Sequence, residues 1–278
     1  MTSIYKTDEG KKQVISFYDN LLKEWHQPSK QLTIQTAFGN TFIIESGKGN
    51  AETVILLHGS GSNSGMWTAD VKELSKNYHV YAIDIIGECG KSAENRPSFK
   101  SDSYSDWLSE IIDKLGLNKV SLIGCSLGGW IAVDFAIKYP EKTIKLVLMA
   151  TAGVVQVKVK TIFWIIITSF LGSWGFKRLN NLVYNNLEIA EKALEFASLI
   201  KNHYKPRTDV LPVLQDDSLQ KISVPTFFIG GENDCFYDSQ KTASRLKNNL
   251  ENVHCLVLEN NGHVLINQTD KIVQFLNS

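Results

Sequence analysis

The stretch Gly124-Cys125-Ser126-Leu127-Gly128 follows an apolar run, Val120 to Ile123, and precedes a helical pattern from Leu127 to Lys138. In such a strand-turn-helix setting the small flanking residues permit a sharp turn, which strains the serine and lifts its hydroxyl above the sheet. A serine hydroxyl is a weak nucleophile near neutral pH and needs a base within hydrogen-bond reach. His263 stands on a loop opened by Gly262, just beyond the apolar run Val253 to Leu258. A carboxylate must then hold the imidazole in the useful tautomer, and both Glu232 and Asp234 lie past the run Val224 to Ile229. A serine, an acid and a histidine in that chain order would do acyl chemistry through an ester on the serine.

Other reactive side chains have weaker claims. His79, His203 and His254 carry no paired signature and are expected on the surface or in packing, and Cys125 is expected to be a small buried filler. The run Ile85 to Ser92 ends in Gly-Lys-Ser like a nucleotide-binding loop. It has Ile85 where the first glycine is required, so no phosphate cradle and no nucleotide are expected.

The elements that must position these residues are legible from periodicity. Val14, Phe17, Tyr18, Leu21, Leu22 and Trp25 recur at helical spacing and predict an amphipathic helix ended by Pro28. Two strand-like runs, Leu32 to Ala37 and Thr41 to Glu45, flank the turn Phe38-Gly39-Asn40 and predict an antiparallel hairpin. Beyond them, short and nearly continuous apolar runs alternate with helical segments: Thr53 to Leu57, Val80 to Ile83, Val120 to Ile123, Ile144 to Met149, Val224 to Ile229 and Val253 to Leu258. Strands without polar alternation need helices on both faces, so a mostly parallel, doubly wound α/β sheet is predicted. Between Gln156 and Val210 there is no strand-like run, and Leu187 to Ile200 reads as an amphipathic helix. This places a helical cap at residues 156–210, inserted between core segments 1–155 and 211–278.

A chain of 278 residues with 43% apolar residues can bury one large core. Its 29 basic and 29 acidic side chains leave no basic field for nucleic acid or an anionic membrane. The opening MTSIYKTDEGKKQ does not read as a secretory signal, and a cytoplasmic location is expected. Cys89, Cys125, Cys235 and Cys255 lack metal-site or redox spacings and are read as reduced thiols. The most apolar stretch, Thr161 to Phe176, falls short of the roughly 20 residues a bilayer requires and predicts a buried or pocket-lining helix, not a transmembrane span. Lys158, Lys160, Lys177 and Arg178 around it leave a peripheral membrane contact as the alternative.

From about Gln31 to Ser278 the chain resembles the α/β-hydrolase superfamily. His58-Gly59-Ser60-Gly61 is similar to its HGxG loop. Asp84, Gly87, Gly90 and Ser92 are similar to its D-x-x-G-x-G-x-S turn, with Glu88 and Cys89 in the variable region. Gly231-Glu232-Asn233-Asp234 resembles the loop that carries the acid, and Asn261-Gly262-His263 the loop that carries the histidine. The resemblance implies Ser126 as nucleophile, His263 as general base and Asp234, rather than Glu232, as the acid. It implies that the backbone N–H groups of Leu127 and of Ser60 (or Gly61) form the oxyanion hole, that His58 orders its loop, and that Asp84 and Ser92 brace a turn.

The expected activity is hydrolysis of a carboxylic ester of a small apolar molecule, with no metal and no organic cofactor. Acyl transfer, lactone opening and carbon–carbon bond hydrolysis use the same constellation, and a slow-turnover ligand-binding protein would keep it. Aromatic residues of the cap, Phe163 and Trp164 above all, with Phe170 and Trp174, are expected to line the substrate pocket.

Overall fold

Buried strands require hydrogen-bonded neighbours and apolar cover on both sides, and the runs above meet both needs in one eight-stranded sheet. The structure is a computed structural model and describes residues 3–161, 164, 171–185 and 191–278. The strands are β1 (Ser29–Thr36), β2 (Gly39–Ser46), β3 (Glu52–Leu57), β4 (Tyr78–Ile83), β5 (Val120–Cys125), β6 (Thr143–Met149), β7 (Thr226–Gly231) and β8 (Val253–Leu258). Their order is β1-β2-β4-β3-β5-β6-β7-β8. The β1–β2 and β2–β4 pairs are antiparallel and all later pairs are parallel.

Alternate side chains of each strand feed two cores. Ile55 and Leu57 of β3 pack with Trp107, Leu108 and Ile111 of α3 (Ser103–Lys114) and with Trp130 and Ile131 of α4 (Leu127–Lys138). Val54 and Leu56 point the other way, toward Tyr18 of α1 (Asp8–Leu22), Val71 and Leu74 of α2 (Val71–Asn77), and Ile272 and Leu276 near the C-terminus.

Among the boundaries that differ from the sequence expectation, two have a direct physical cause. The first helix stops at Leu22, where Lys23 and Glu24 donate to carbonyls three residues back, so Pro28 does not end it. Trp25 lies beyond that end, 7% exposed, with Nε1–H donated to Ser46 Oγ at 3.0 Å. Strand β7 begins at Thr226 rather than Val224, because Pro225 has no N–H for the ladder; its carbonyl still accepts from Leu146 N–H at 2.9 Å.

Between β6 and β7 the chain leaves the sheet. The described helices there are α5 (Gly172–Tyr184), α6 (Glu191–His203) and the short α7 (Asp216–Leu219). The apolar stripe of α1 docks partly on this insert: Phe17 stacks on Phe196 of α6 with ring centroids 5.6 Å apart. A short backbone strap lies alongside, with Lys6 N–H on His203 carbonyl and Lys205 N–H on Ile4 carbonyl, both at 2.8 Å. Among the described residues no helix is long and apolar enough to cross a membrane.

Candidate active site

The parallel strands end together at one rim of the sheet, and the loops leaving β3, β5, β7 and β8 converge there. Ser126 sits between β5 and α4 with φ +48° and ψ −106°, a backbone state that a non-glycine residue holds only where its surroundings dictate it. The surroundings are close-packed. A Cβ on Gly124 would come within 2.3 Å of the Gly128 carbonyl oxygen, and one on Gly128 within 2.2 Å of the Leu57 carbonyl oxygen. The two flanking glycines are therefore required for the turn to close against β3.

Three separated side chains then form one hydrogen-bonded line. His263 Nε2 is 3.1 Å from Ser126 Oγ, and His263 Nδ1 is 2.8 Å from Asp234 Oδ2. An ionised carboxylate only accepts, so Nδ1 carries the proton and Nε2 is left to accept from the serine hydroxyl. Asp234 is 1% exposed, and its other oxygen accepts the N–H groups of Phe236 (2.7 Å) and Tyr237 (3.1 Å), which holds the carboxylate in place. Glu232 is exposed and accepts from Asn260 N–H at 3.4 Å, away from this line.

The loop after β3 lies beside the nucleophile: a Cβ on Gly59 would be 3.7 Å from Ser126 Cβ. His58 shapes this loop. Fully buried, it donates Nδ1–H to the Gly59 carbonyl (2.8 Å) and accepts Ile85 N–H on Nε2 (2.9 Å). Desolvation lowers its pKa below the usual histidine range, against the pull of Asp84. Of the two N–H groups weighed for the loop's oxyanion donor, that of Gly61 is engaged by Glu88 Oε2 at 2.6 Å. Leu127 opens α4, where a first-turn N–H has no partner within its own helix.

A family model described as "alpha/beta hydrolase fold" matches residues 52–189, and the solved carboxylesterase CesB (YbfK) of Bacillus subtilis superposes with a TM-score of 0.85. The chain has the α/β-hydrolase fold. The CesB comparison covers 97% of this chain and 98% of that one at 26% identity. In sequence, the chain is 27% identical over 274 residues to the uncharacterized carboxylesterase nap of B. subtilis, covering 94% of this chain and 91% of that protein. It is also 27% identical over 256 residues to carboxylesterase YbfK of B. subtilis, with 89% and 86% covered. The family match includes Ser126 and stops before Asp234 and His263, so the placement of those two in this α/β-hydrolase rests on the contacts above.

Above Ser126 and His263 opens a cavity of about 2120 Å³, well beyond the roughly 300–1,000 Å³ of ordinary ligand pockets. Its described wall is mainly apolar. Phe17 and Leu21 come from α1, Phe176 and Leu179 from α5, and Phe196 and Ile200 from α6. Asn180 of α5, 8% exposed, also lines it, and its Nδ2 has no partner among the described residues. Of the aromatic residues expected to line the pocket, Phe163 and Phe170 lie outside the described residues. Trp164 and Trp174 are 44% and 58% exposed. Among the described residues the wall carries Phe17, Phe176 and Phe196, because α1 folds back over the insert and α5 turns its Phe176 side inward. Cys125 packs against the core and also borders the cavity; burial pushes its thiol up to about 12, which leaves it protonated and poorly nucleophilic at neutral pH.

His79, His254 and the Gly-Lys-Ser run have structural partners. His79 Nε2 lies 2.8 Å from Glu45 Oε1, and His254 stacks near Phe227. Lys91 pairs with Asp19 at 2.5 Å, while its N–H donates to Asp84 Oδ2 at 2.8 Å. Asp84 also accepts from Tyr18 Oη (2.9 Å) and Ser64 N–H (2.8 Å), and Ser92 Oγ donates to its carbonyl at 2.6 Å. Glu88, which the motif leaves as a variable position, is buried at 1% exposure against the loop that follows β3. The signal for it in the sequence was a lone carboxylate among apolar residues and glycines.

Proposed function

We propose that the chain hydrolyses carboxylic esters through an acyl-enzyme, with Ser126 as nucleophile, His263 as general base and acid, and Asp234 as the residue that orients the imidazole. The observation that carries this reading is the unbroken line from Asp234 to His263 to Ser126 at the floor of an apolar cavity. Ser126 Oγ attacks the ester carbonyl as its proton passes to His263 Nε2, and Asp234 stabilises the imidazolium. The N–H groups of Ser60 and Leu127 hold the oxyanion, each worth about 3–4 kcal/mol in the transition state. His263 then returns the proton to the departing alcohol. Water, deprotonated by the same nitrogen, attacks the acyl-enzyme, and its collapse releases the acid and restores the serine.

Residues 156–210 act as the specificity cap, and the substrate carries an apolar acyl or alcohol group that occupies the wall of Phe17, Phe176 and Phe196. The Nδ2 of Asn180, without a partner among the described residues, suits a single acceptor atom on that group. A cytoplasmic setting accords with four cysteines that all stand free.

The test is labelling by a fluorophosphonate probe together with turnover of p-nitrophenyl esters by wild type and Ser126→Ala. Both signals should be present in the wild type and lost in the variant. Labelling of the wild type without turnover of any ester would replace hydrolysis by the slow-turnover binding reading.

A further inference from the structure

Glu88 occupies the turn after β4 and is buried beside the loop that supplies an oxyanion donor in the reading above, on which this inference rests. Its Oε2 accepts Gly61 N–H at 2.6 Å and Tyr204 Oη–H at 2.9 Å, and Ser60 Oγ approaches both carboxylate oxygens at 3.4–3.5 Å. Gly61 has φ +67°, a left-handed residue immediately after Ser60, so the direction of the Ser60–Gly61 peptide depends on what holds its N–H. Here the holder is a carboxylate from a different loop.

The second partner leads to the insert. Tyr204 follows α6 directly, is 1% exposed, and pairs across a β-bridge with Tyr5. Arg96 lies over its ring at 5.2 Å, and from there Arg96 Nε–H reaches the Gly87 carbonyl (3.0 Å) and Nη2–H the Lys205 carbonyl (2.6 Å). Ile200, one turn earlier in α6, stands where a Cβ on Gly61 would touch it at 3.7 Å. The segment returning from the insert to the sheet thus meets the loop after β3 at a single buried carboxyl.

Burying that carboxyl has a cost. Desolvation raises its pKa, and the Gly61 N–H, the Tyr204 hydroxyl, Arg96 and Arg207 act in the other direction; Tyr5, Cys89, Asp84 and Tyr104 are further titratable groups close by. An apolar residue would pack the same turn without this penalty, but it would leave Gly61 N–H without Glu88 as acceptor and Tyr204 Oη with only the more distant Gly87 carbonyl at 3.4 Å.

We propose that Glu88 is a positioning residue: it holds the Ser60–Gly61 peptide so that Ser60 N–H is the one aimed at the oxyanion, and through Tyr204 it couples that loop to the returning leg of the insert. Substrate filling the cavity against α6 then stabilises the oxyanion donor, as well as being bound by the wall.

Steady-state hydrolysis of a p-nitrophenyl ester by Glu88→Ala, Glu88→Gln and Tyr204→Phe tests this. Glu88→Ala should lower kcat by about 10- to 100-fold, less than outright deletion of a donor, with KM within about twofold. Glu88→Gln, whose amide oxygen in the Oε2 position still accepts both Gly61 N–H and Tyr204 Oη–H while its NH₂ faces Ser60 Oγ, should recover most of kcat. Tyr204→Phe should cost about three- to tenfold in kcat, and the double variant Glu88→Ala/Tyr204→Phe should be no slower than Glu88→Ala, as expected for two residues on one path. Wild-type kcat in Glu88→Ala would overturn the proposal. A rise in KM without a fall in kcat would do the same. Should Glu88→Ala fail to fold, wild-type kcat in Tyr204→Phe overturns the coupling, and no rescue by Glu88→Gln overturns the positioning. Absence of turnover by the wild type in the same assay counts against ester hydrolysis itself, and is thereby distinct from these outcomes.

Discussion

The sheet core and the insert between β6 and β7 are built to different tolerances. In the core, β7 is buried along its whole length, nine of the twelve residues of α4 are buried, and Ser126 is locked between glycines that leave no room for a methyl group. In the insert, α6 has no buried residue and α5 buries only Gly175 and Asn180, while Leu171, Trp174 and Leu182 are well exposed. Its described helices are tied down by particular polar contacts. The Val183 carbonyl accepts His263 N–H at 2.9 Å, Asn185 Nδ2–H reaches the Asn260 carbonyl at 2.8 Å, and Tyr204 binds Glu88. Arg207 donates to Tyr104 Oη at 2.6 Å and to the Pro97 carbonyl at 2.9 Å. Dense packing fixes the chemistry where an error of one ångström is costly, whereas the loosely packed wall can be recut for a different substrate at little cost to the fold. Two of those ties end on the loop that carries His263 and a third on Glu88, which holds Gly61, so the looser region still bears on the rigid one.

The largest effect that would sharpen this contrast comes from the core. Ser126→Ala should lower kcat for a p-nitrophenyl ester on the order of 10⁶-fold without lowering Tm, since it removes one oxygen and no packing; a large fall in Tm would mean that the hydroxyl supports the fold. Asp234→Asn, read in the same assay, should cost on the order of 10⁴-fold in kcat, because an amide favours the wrong imidazole tautomer. In the insert, Phe196→Ala should raise KM for a bulky apolar ester by about 10-fold and leave kcat for an acetate ester within about twofold. Phe17→Ala should repeat the pattern more weakly, as the two rings stack. Equal losses on both esters would erase the division between wall and machinery.

The smallest effect concerns pH. His58 is buried neutral with its pKa lowered, so between its ordinary value of 6.5 and the lowered one the unfolded chain binds a proton that the folded chain does not. Its contribution is intact above pH 6.5 and is lost as pH falls through and below that value. Urea midpoints of wild type should therefore drop between pH 7.5 and 5.5 more steeply than those of His58→Gln, whose side chain does not titrate; parallel curves would mean that His58 ionises freely in the folded state.

Much of the site was legible because its chemistry needs residue types that cannot be exchanged. Ser126, Asp234 and His263 each follow an apolar strand run, and parallel strands deliver their C-terminal ends to one rim. Ser60 was legible through the HGxG pattern, although only the engagement of Gly61 by Glu88 separates the two N–H candidates. Glu88 itself was invisible in role, because its partners lie 27 and 116 residues away in the chain. The helical stripe of α1 was read correctly as needing cover, but a stripe does not say what covers it, and Trp25 was counted into a helix that had already ended.

What the sequence by itself determined is the sheet and the order of its reactive residues: hydropathy runs specify strands locally, and glycines specify the turns where a side chain would collide with backbone. What only the tertiary structure decided is which surfaces meet. The cavity wall, the docking of α1 on α6, and the holding of Gly61 N–H by Glu88 all depend on contacts between segments far apart in the chain. The physical reason is that apolar faces are interchangeable in a pattern of hydropathy, whereas a buried carboxyl is satisfied only by the particular donors that packing brings to it.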